Sequence, residues 1–217
     1  MKAVADPSYR KRIGYQAGLL GGFSTLAATL LVAGNMITKA PIEEQQRQDL
    51  MASLATVVPD ETHDNNLLDD SMEMKWEGVG NVTIYRALRD GVVTGVAYRI
   101  TGYGYAGAIN CIMGLDATGK VMGVRVLSHA ETPGLGDKIE VERDDWILSF
   151  NGLSMGAPPE SEWAVKKDGG RFDQFTGATI TPRGVVAAVK GGVKFFEQHK
   201  AELLASRAAI APDRIGD

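Results

Sequence analysis

Cysteine is almost missing from this 217-residue chain. Cys111 stands alone, which excludes an internal disulfide framework and any cysteine-ligated zinc or iron–sulfur site. Histidine is nearly as scarce: His63, His129 and His199 are scattered, so no metal site is expected. Positive charge is not in excess either. The 23 Lys and Arg face 27 Asp and Glu, a net charge of −4, and a polyanion binder should be basic, so nucleic acid is not an expected partner. No repeat or low-complexity tract is visible, and no acid–base pair or activated nucleophile stands out. With 44% apolar residues and only 8 Pro beside 26 Gly, the chain is neither collagenous nor disordered. Its length allows one globular domain plus an appendage.

One segment lacks charge altogether. Residues 13–38 contain no charged residue, and residues 17–37 (AGLLGGFSTLAATLLVAGNMI) are almost wholly apolar or small. A bilayer core of about 30 Å needs roughly 20 helical residues, which this run supplies. A core helix apolar on every face could hardly be enclosed by so small a domain, and the run exceeds the apolar region of a cleaved signal peptide. An uncleaved, single-pass anchor is therefore expected over 13–38. Lys2, Arg10, Lys11 and Arg12 precede it against one acid, Asp6. A Lys/Arg excess marks the cytoplasmic side, so residues 1–12 form a basic cytoplasmic N-terminus. The remainder lies outside, in the periplasm of a Gram-negative cell. The small residues Gly18, Gly21, Gly22, Ala27, Ala28, Ala33 and Gly34 would permit close helix packing in lipid.

Beyond the anchor, Leu50, Leu54, Val57 and Val58 recur at helical spacing, predicting a short amphipathic helix over 42–58 within a helix-and-linker segment, 39–76. Strand-like patterning begins at Asn81. Val82, Ile84 and residues 92–100 flank Asp90-Gly91, a dipeptide suited to a tight hairpin. A second hairpin pairs 108–115 with 121–127 around Gly119, and Asp168-Gly169-Gly170 marks another turn. The last helix starts at Thr181 as N-cap with Pro182 in its first turn, and Val185, Val186, Val189, Val193 and Phe196 supply its apolar face. Gly191-Gly192 would weaken it by about 1 kcal/mol per glycine relative to Ala, unless close packing on a sheet requires them. Strands joined by short turns with a helix at each end predict an α+β fold: a transmembrane helix, then a domain of antiparallel sheet with flanking helices over 77–205. Residues 206–217 form a tail.

Four segments could hold chemistry: residues 102–107 (GYGYAG), 129–136 (HAETPGLG), 166–170 (KKDGG) and 173–181 (DQFTGATIT). Their glycines could simply punctuate turns, and residues 102–107 are no dinucleotide fingerprint, because no strand–loop–helix unit surrounds them. Residues 176–181 are the most informative. Gly177 and Ala178 admit close approach to the backbone. The hydroxyls of Thr176, Thr179 and Thr181 gather just upstream of a helix N-terminus, where free N–H groups and the helix dipole favour an anion such as phosphate. Thr181 suffices as a cap; Thr179 is surplus to that task.

Asp173 followed by Thr176-Gly177-Ala178-Thr179 resembles the flavinylation motif of the FMN-binding domain family, with Thr176 where Ser is more usual. The resemblance implies that a flavin transferase recognising Asp173 joins FMN to Thr179 through a phosphoester. The anchor, the Gly-Tyr-rich segment, residues 129–136 and residues 179–186 also occur in the order seen in G subunits of the Rnf electron-transport complex. The C subunit of the sodium-pumping NADH:quinone reductase is the close alternative. Ile180-Thr181-Pro182 and Gly184-Val185-Val186 look more like the former.

The resemblance implies an electron relay with no catalytic side chains of its own, in a bacterial inner-membrane complex exchanging electrons between NADH and ferredoxin and moving ions through other membrane subunits. Residues 131–136, with Glu131, Thr132, Gly134 and Leu135 as the cofactor-binding positions, are expected to form a loop against the flavin ring. In it Leu135 is an apolar wall, backbone N–H groups are offered, and Thr132 is a hydrogen-bond donor. Lys167 is a candidate positive charge nearby. Cys111 is expected to be a buried small hydrophobe. The rival class is a non-redox anchored periplasmic binding module without flavin.

Overall fold

A computed structural model of the chain describes residues 13–205; the expected cytoplasmic N-terminus and C-terminal tail lie outside the described residues. Helix α1 (Ile13–Val57) is continuous through Pro41. The separate helix expected over 42–58 is therefore the end of the same helix. Pro41 forgoes one backbone bond, but the helix formers after it carry the spiral on. Gln45 pairs with Asp49 at 2.8 Å and Gln48 with Glu44 at 2.9 Å. In the apolar part Leu20, Phe23, Leu26, Leu30, Leu31, Val32, Met36 and Ile37 are all more than half exposed. It is the one helix among the described residues long and apolar enough to cross a membrane. Its threonine hydroxyls are satisfied internally: Thr25, Thr29 and Thr38 donate to the carbonyls of Gly21, Thr25 and Gly34 at 2.8–2.9 Å, as a span without water favours.

The chain divides into two compact units between Asp49 and Leu50. In the second, five strands form a fully antiparallel meander: β1 (Ser71–Trp76), β2 (Gly80–Arg89), β3 (Val92–Tyr103), β4 (Ala108–Asp116) and β5 (Val121–Ser128). The β2–β3 hairpin turns at Asp90 and Gly91, both with positive φ (52° and 77°), as the dipeptide predicts. Strand β1 falls in the segment expected to be linker. Its alternation of Met72, Met74 and Trp76 with Glu73 and Lys75 is short, but pairing with β2 completes it, so the sheet begins before residue 77.

The register divides the two faces. Ile84, Tyr98, Met113 and Val124 stand in one row across β2–β5 and belong to the larger core. Tyr85, Ala97, Gly114 and Gly123 form the neighbouring row on the opposite face. That second row shrinks toward β5, and the end of α1 fills the space. A Cβ on Gly114 would collide with the Val57 carbonyl, and one on Gly123 would lie 3.1 Å from Val57 Cα. Leu54, Val57 and Val58 are buried there with Leu67 and Ile112.

Helix α2 (Ile180–Leu203) packs on the first face, chiefly along β3. Val185, Val186, Val189, Val193 and Phe196 are buried as their spacing predicts. Of the two mid-helix glycines only Gly192 is demanded by packing, since a Cβ there would strike Met113 Sδ. The buried Tyr98 hydroxyl donates to its carbonyl at 2.8 Å. Between β5 and α2 the chain runs through short 3₁₀ turns wrapped around Trp146, Phe150, Trp163, Phe172 and Phe175, whose rings pack edge-on, stacked or tilted with centroids 4.6–6.5 Å apart. Trp146 Nε1 donates to the Asp173 carbonyl at 2.8 Å. This aromatic cluster seats the segment that leads into α2.

Candidate functional site

Three of the four segments singled out in the sequence meet at one end of the sheet. Residues 104–107 turn β3 into β4, Tyr103 and Ala108 being the last paired residues, with Gly104 N–H donating to the Gly107 carbonyl at 2.8 Å. Residues 132–135 form a turn closed by Leu135 N–H on the Thr132 carbonyl at 3.1 Å. Pro133 sits at its second position and Gly134, φ 78°, at its third, as a type II turn prefers. Residues 175–178 repeat the device: Ala178 N–H donates to the Phe175 carbonyl at 3.1 Å, and Gly177 has φ 83°.

A cavity of about 360 Å³ opens among these turns, lined by Tyr105, Glu131, Thr132, Leu135, Gly136, Gly177, Ala178, Thr179 and Ile180. Of the expected cofactor-binding residues, Glu131, Thr132, Leu135, Gly177, Ala178 and Thr179 converge here. Gly134 shapes the turn and is not among the lining residues. Thr176 and Asp173 open instead on a separate polar groove of about 450 Å³ with Lys138, Trp146 and Arg171, where Asp173 pairs with Lys166 at 2.6 Å. Lys167 does not reach the cavity. Its turn is tied to α2 by a two-pronged pair, Asp168 with Arg183, at 2.5 and 2.6 Å.

The three threonine hydroxyls therefore do not gather at one point. Thr181 is fully buried and is not the cap of α2; its hydroxyl donates to Glu131 Oε2, because a carboxylate accepts more strongly than a neutral oxygen. Thr179 occupies the N-cap position without making a side-chain cap. No hydrogen bond to its hydroxyl is present among the described residues, although it stands at the cavity edge where the first-turn N–H groups of α2 lack helical partners. Nor does the 132–136 turn offer all its N–H groups: those of Leu135 and Gly136 both engage the Thr132 carbonyl. The Thr132 hydroxyl remains open.

Tyr105 and Ile180 line the cavity without having been singled out for it, and Gly136, the end of the expected 131–136 loop, lines it too. The signal for Tyr105 was an aromatic set among glycines in a turn, and it is 77% exposed. With Leu135 at 44% and Ile180 at 49%, it makes an uncovered apolar wall around one opening. Cys111, by contrast, is buried in β4, and burial pushes its thiol up to about 12, so it is inert.

Residues 104–194 match the FMN-binding domain family, a span that includes every residue of the cavity. Over 187 residues the chain is 49% identical to the G subunit of the ion-translocating oxidoreductase complex of Cereibacter sphaeroides, covering 86% of this chain and 85% of that one. The corresponding G subunit of Stutzerimonas stutzeri is 47% identical, covering 87% and 82%. The chain belongs to this G-subunit family. The Shewanella piezotolerans member is 43% identical over 90% of this chain and 94% of its own. A solved structure of Shewanella oneidensis NqrC is more distant, at 24% identity over 71% of this chain and 74% of that chain, with a TM-score of 0.44.

The cavity suits the group that names the domain family. The uncovered wall of Tyr105, Leu135 and Ile180 matches a flat apolar ring system, the Thr132 hydroxyl can meet a polar ring edge, and the Thr179 hydroxyl, without a partner among the described residues, stands at the rim. As a G-subunit family member the chain is a flavoprotein-type membrane subunit, its apolar helix standing N-terminal to the FMN-binding domain.

Proposed function

We propose that this protein is the covalent-FMN electron relay of an Rnf-type complex that couples electron transfer between NADH and ferredoxin to ion translocation. The observation that carries this reading is the Thr179 hydroxyl, without a partner among the described residues, at the edge of an apolar-walled cavity. A flavin transferase supplies the flavin phosphate activated as the phosphoanhydride of a flavin dinucleotide; the Thr179 oxygen loses its proton and bonds to the phosphorus while the anhydride P–O bond breaks and the nucleoside monophosphate leaves, with Asp173 in the motif the transferase recognises. FMN, when bound, supplies the redox chemistry.

The chain's own residues hold and shelter it. Tyr105, Leu135 and Ile180 exclude water from the ring, Gly177 and Ala178 let it approach the backbone, and Thr132 donates to its polar edge. The ester keeps the cofactor in a compartment from which a free one would be lost. One span fixes the protein in the bacterial inner membrane, with the basic N-terminus in the cytoplasm and the FMN domain in the periplasm. The span carries no Asp, Glu, His, Lys or Arg over residues 13–38, so ion passage belongs to the other membrane subunits that are its partners.

The test is to express the full chain with a flavin transferase, denature it and look for flavin fluorescence that stays on the polypeptide. The tryptic fragment over residues 172–183 contains Thr176, Thr179 and Thr181, so fragment mass spectrometry must place the added mass. Addition at Thr179, lost in Thr179→Val, is expected. Unmodified wild type under the same conditions would instead favour a non-redox binding module.

A further inference from the structure

Glu131 is 5% exposed and lines the cavity, yet its carboxylate points into protein rather than into the opening. Oε1 accepts the Ala106 N–H at 2.9 Å, and Oε2 accepts the buried Thr181 hydroxyl. Its own backbone N–H donates to His129 Nδ1 at 3.0 Å. That nitrogen must then be the acceptor, so the ring proton sits on Nε2, 2.9 Å from Glu140. Two glycines make room for this carboxylate. A Cβ on Gly104 would collide with it, and one on Gly136 would lie 2.8 Å from Glu131 Cβ and 3.1 Å from Thr181 Oγ1. One side chain thus joins the β3–β4 turn, the 129–136 loop and the first turn of α2, the three walls of the cavity.

Resting on the FMN reading above, we propose that Glu131 is a positioning residue: its buried carboxylate locks Tyr105 and Thr179 at their separation across the cavity, and its fixed charge holds the flavin's potential low. Burial works against that charge, but the Thr181 hydroxyl and the N–H groups of Ala106 and Tyr105 outweigh it and keep the carboxyl below its ordinary range. The group is therefore ionised at neutral pH. A fixed negative charge beside an electron acceptor opposes its reduction.

Wild type, Glu131→Gln, Glu131→Ala and Thr181→Val are made as full chains with the flavin transferase. Flavin load on Thr179, fluorescence anisotropy of the bound flavin and its midpoint potential are then read. Glu131→Gln preserves shape and removes charge, so anisotropy should stay at the wild-type value while the potential moves positive. Glu131→Ala and Thr181→Val should keep the flavin but lower its anisotropy. In a flavin-free Thr179→Val background, Glu131→Ala should also speed hydrogen exchange at the Ala106 amide. Wild-type anisotropy in loaded Glu131→Ala and Thr181→Val, or a Glu131→Gln potential equal to wild type, overturns the role of Glu131 alone. A wild type without flavin on Thr179 overturns the FMN reading and this proposal together. If Glu131→Ala fails to fold, Glu131→Gln and Thr181→Val decide.

Discussion

Thr181 and Thr179 stand two residues apart at the start of α2 and mark the two sides of the cavity. On the inner side every polar group has a partner: Thr181 binds Glu131, which binds Ala106, while His129 joins the Glu131 backbone to Glu140. On the rim Thr179 has none among the described residues. The pairing of a closed network with an open hydroxyl separates what holds a site in shape from what is left to react. A buried polar group must be satisfied; a half-buried one at an opening can wait for a ligand.

That contrast is broken most sharply at the rim. Thr179→Val should abolish covalent flavin entirely while leaving the melting temperature of the flavin-free protein within about 2 °C, because no hydrogen bond of the fold is lost. Mass spectrometry and a thermal melt read the two halves, and a large loss of stability would show that Thr179 belongs to the closed side. Next comes the joint behind the cavity. A Cβ on Gly184 would run into the Tyr103 carbonyl, and a Cβ on Gly102 would come 2.5 Å from the Gly184 oxygen. Backbone cannot step aside as a side chain can, so Gly184→Ala should cost about 1–3 kcal/mol, measured by denaturant unfolding, and should loosen the cavity as well.

A smaller effect tests the closed side through pH. The carboxyl of Glu131 lies lower in the folded chain than its ordinary value of about 4.3. Its contribution is therefore full above that value and is lost as pH falls through the lower, folded-state value. Glu131→Gln should cost about 1–2 kcal/mol at pH 7, and the gap from wild type should close on acidification below about pH 4. A gap independent of pH would mean that the charge plays no part. The smallest effect is at Lys167: with its turn tied to α2 through Asp168 and Arg183, Lys167→Gln should leave the flavin potential unchanged within error in spectroelectrochemical titration.

Much of this was legible in the residues. Asp90-Gly91, the turn containing Gly119 and the valine face of α2 read directly, because turn chemistry and helical periodicity are local. So was the gathering of 131–135 with 177–179, through the family motif. What stayed hidden depends on contacts distant in sequence. Strand β1 shows only three apolar alternations and becomes a strand by pairing with β2. Thr181 looks like a cap from its neighbours, and only Glu131, 50 residues away in the chain, shows what its hydroxyl does. Asp173 and Thr176 share a motif with Thr179, yet the turn at Gly177 sends them to another groove. The continuity of α1 over 39–57 is hidden by Pro41, which suggests a break that the good helix formers after it override.

The paired glycines Gly102 and Gly184 have one more consequence. Tyr105 hangs from the strand on one side of that contact and Thr179 from the helix on the other, and nothing compressible lies between the two main chains. The closest approach of strand and helix is thus set like a mortise joint, by main chain, and the Glu131 carboxylate fixes the cavity walls beyond that joint. Heat or a repacked core should alter how firmly the halves are held long before it alters how far apart they stand.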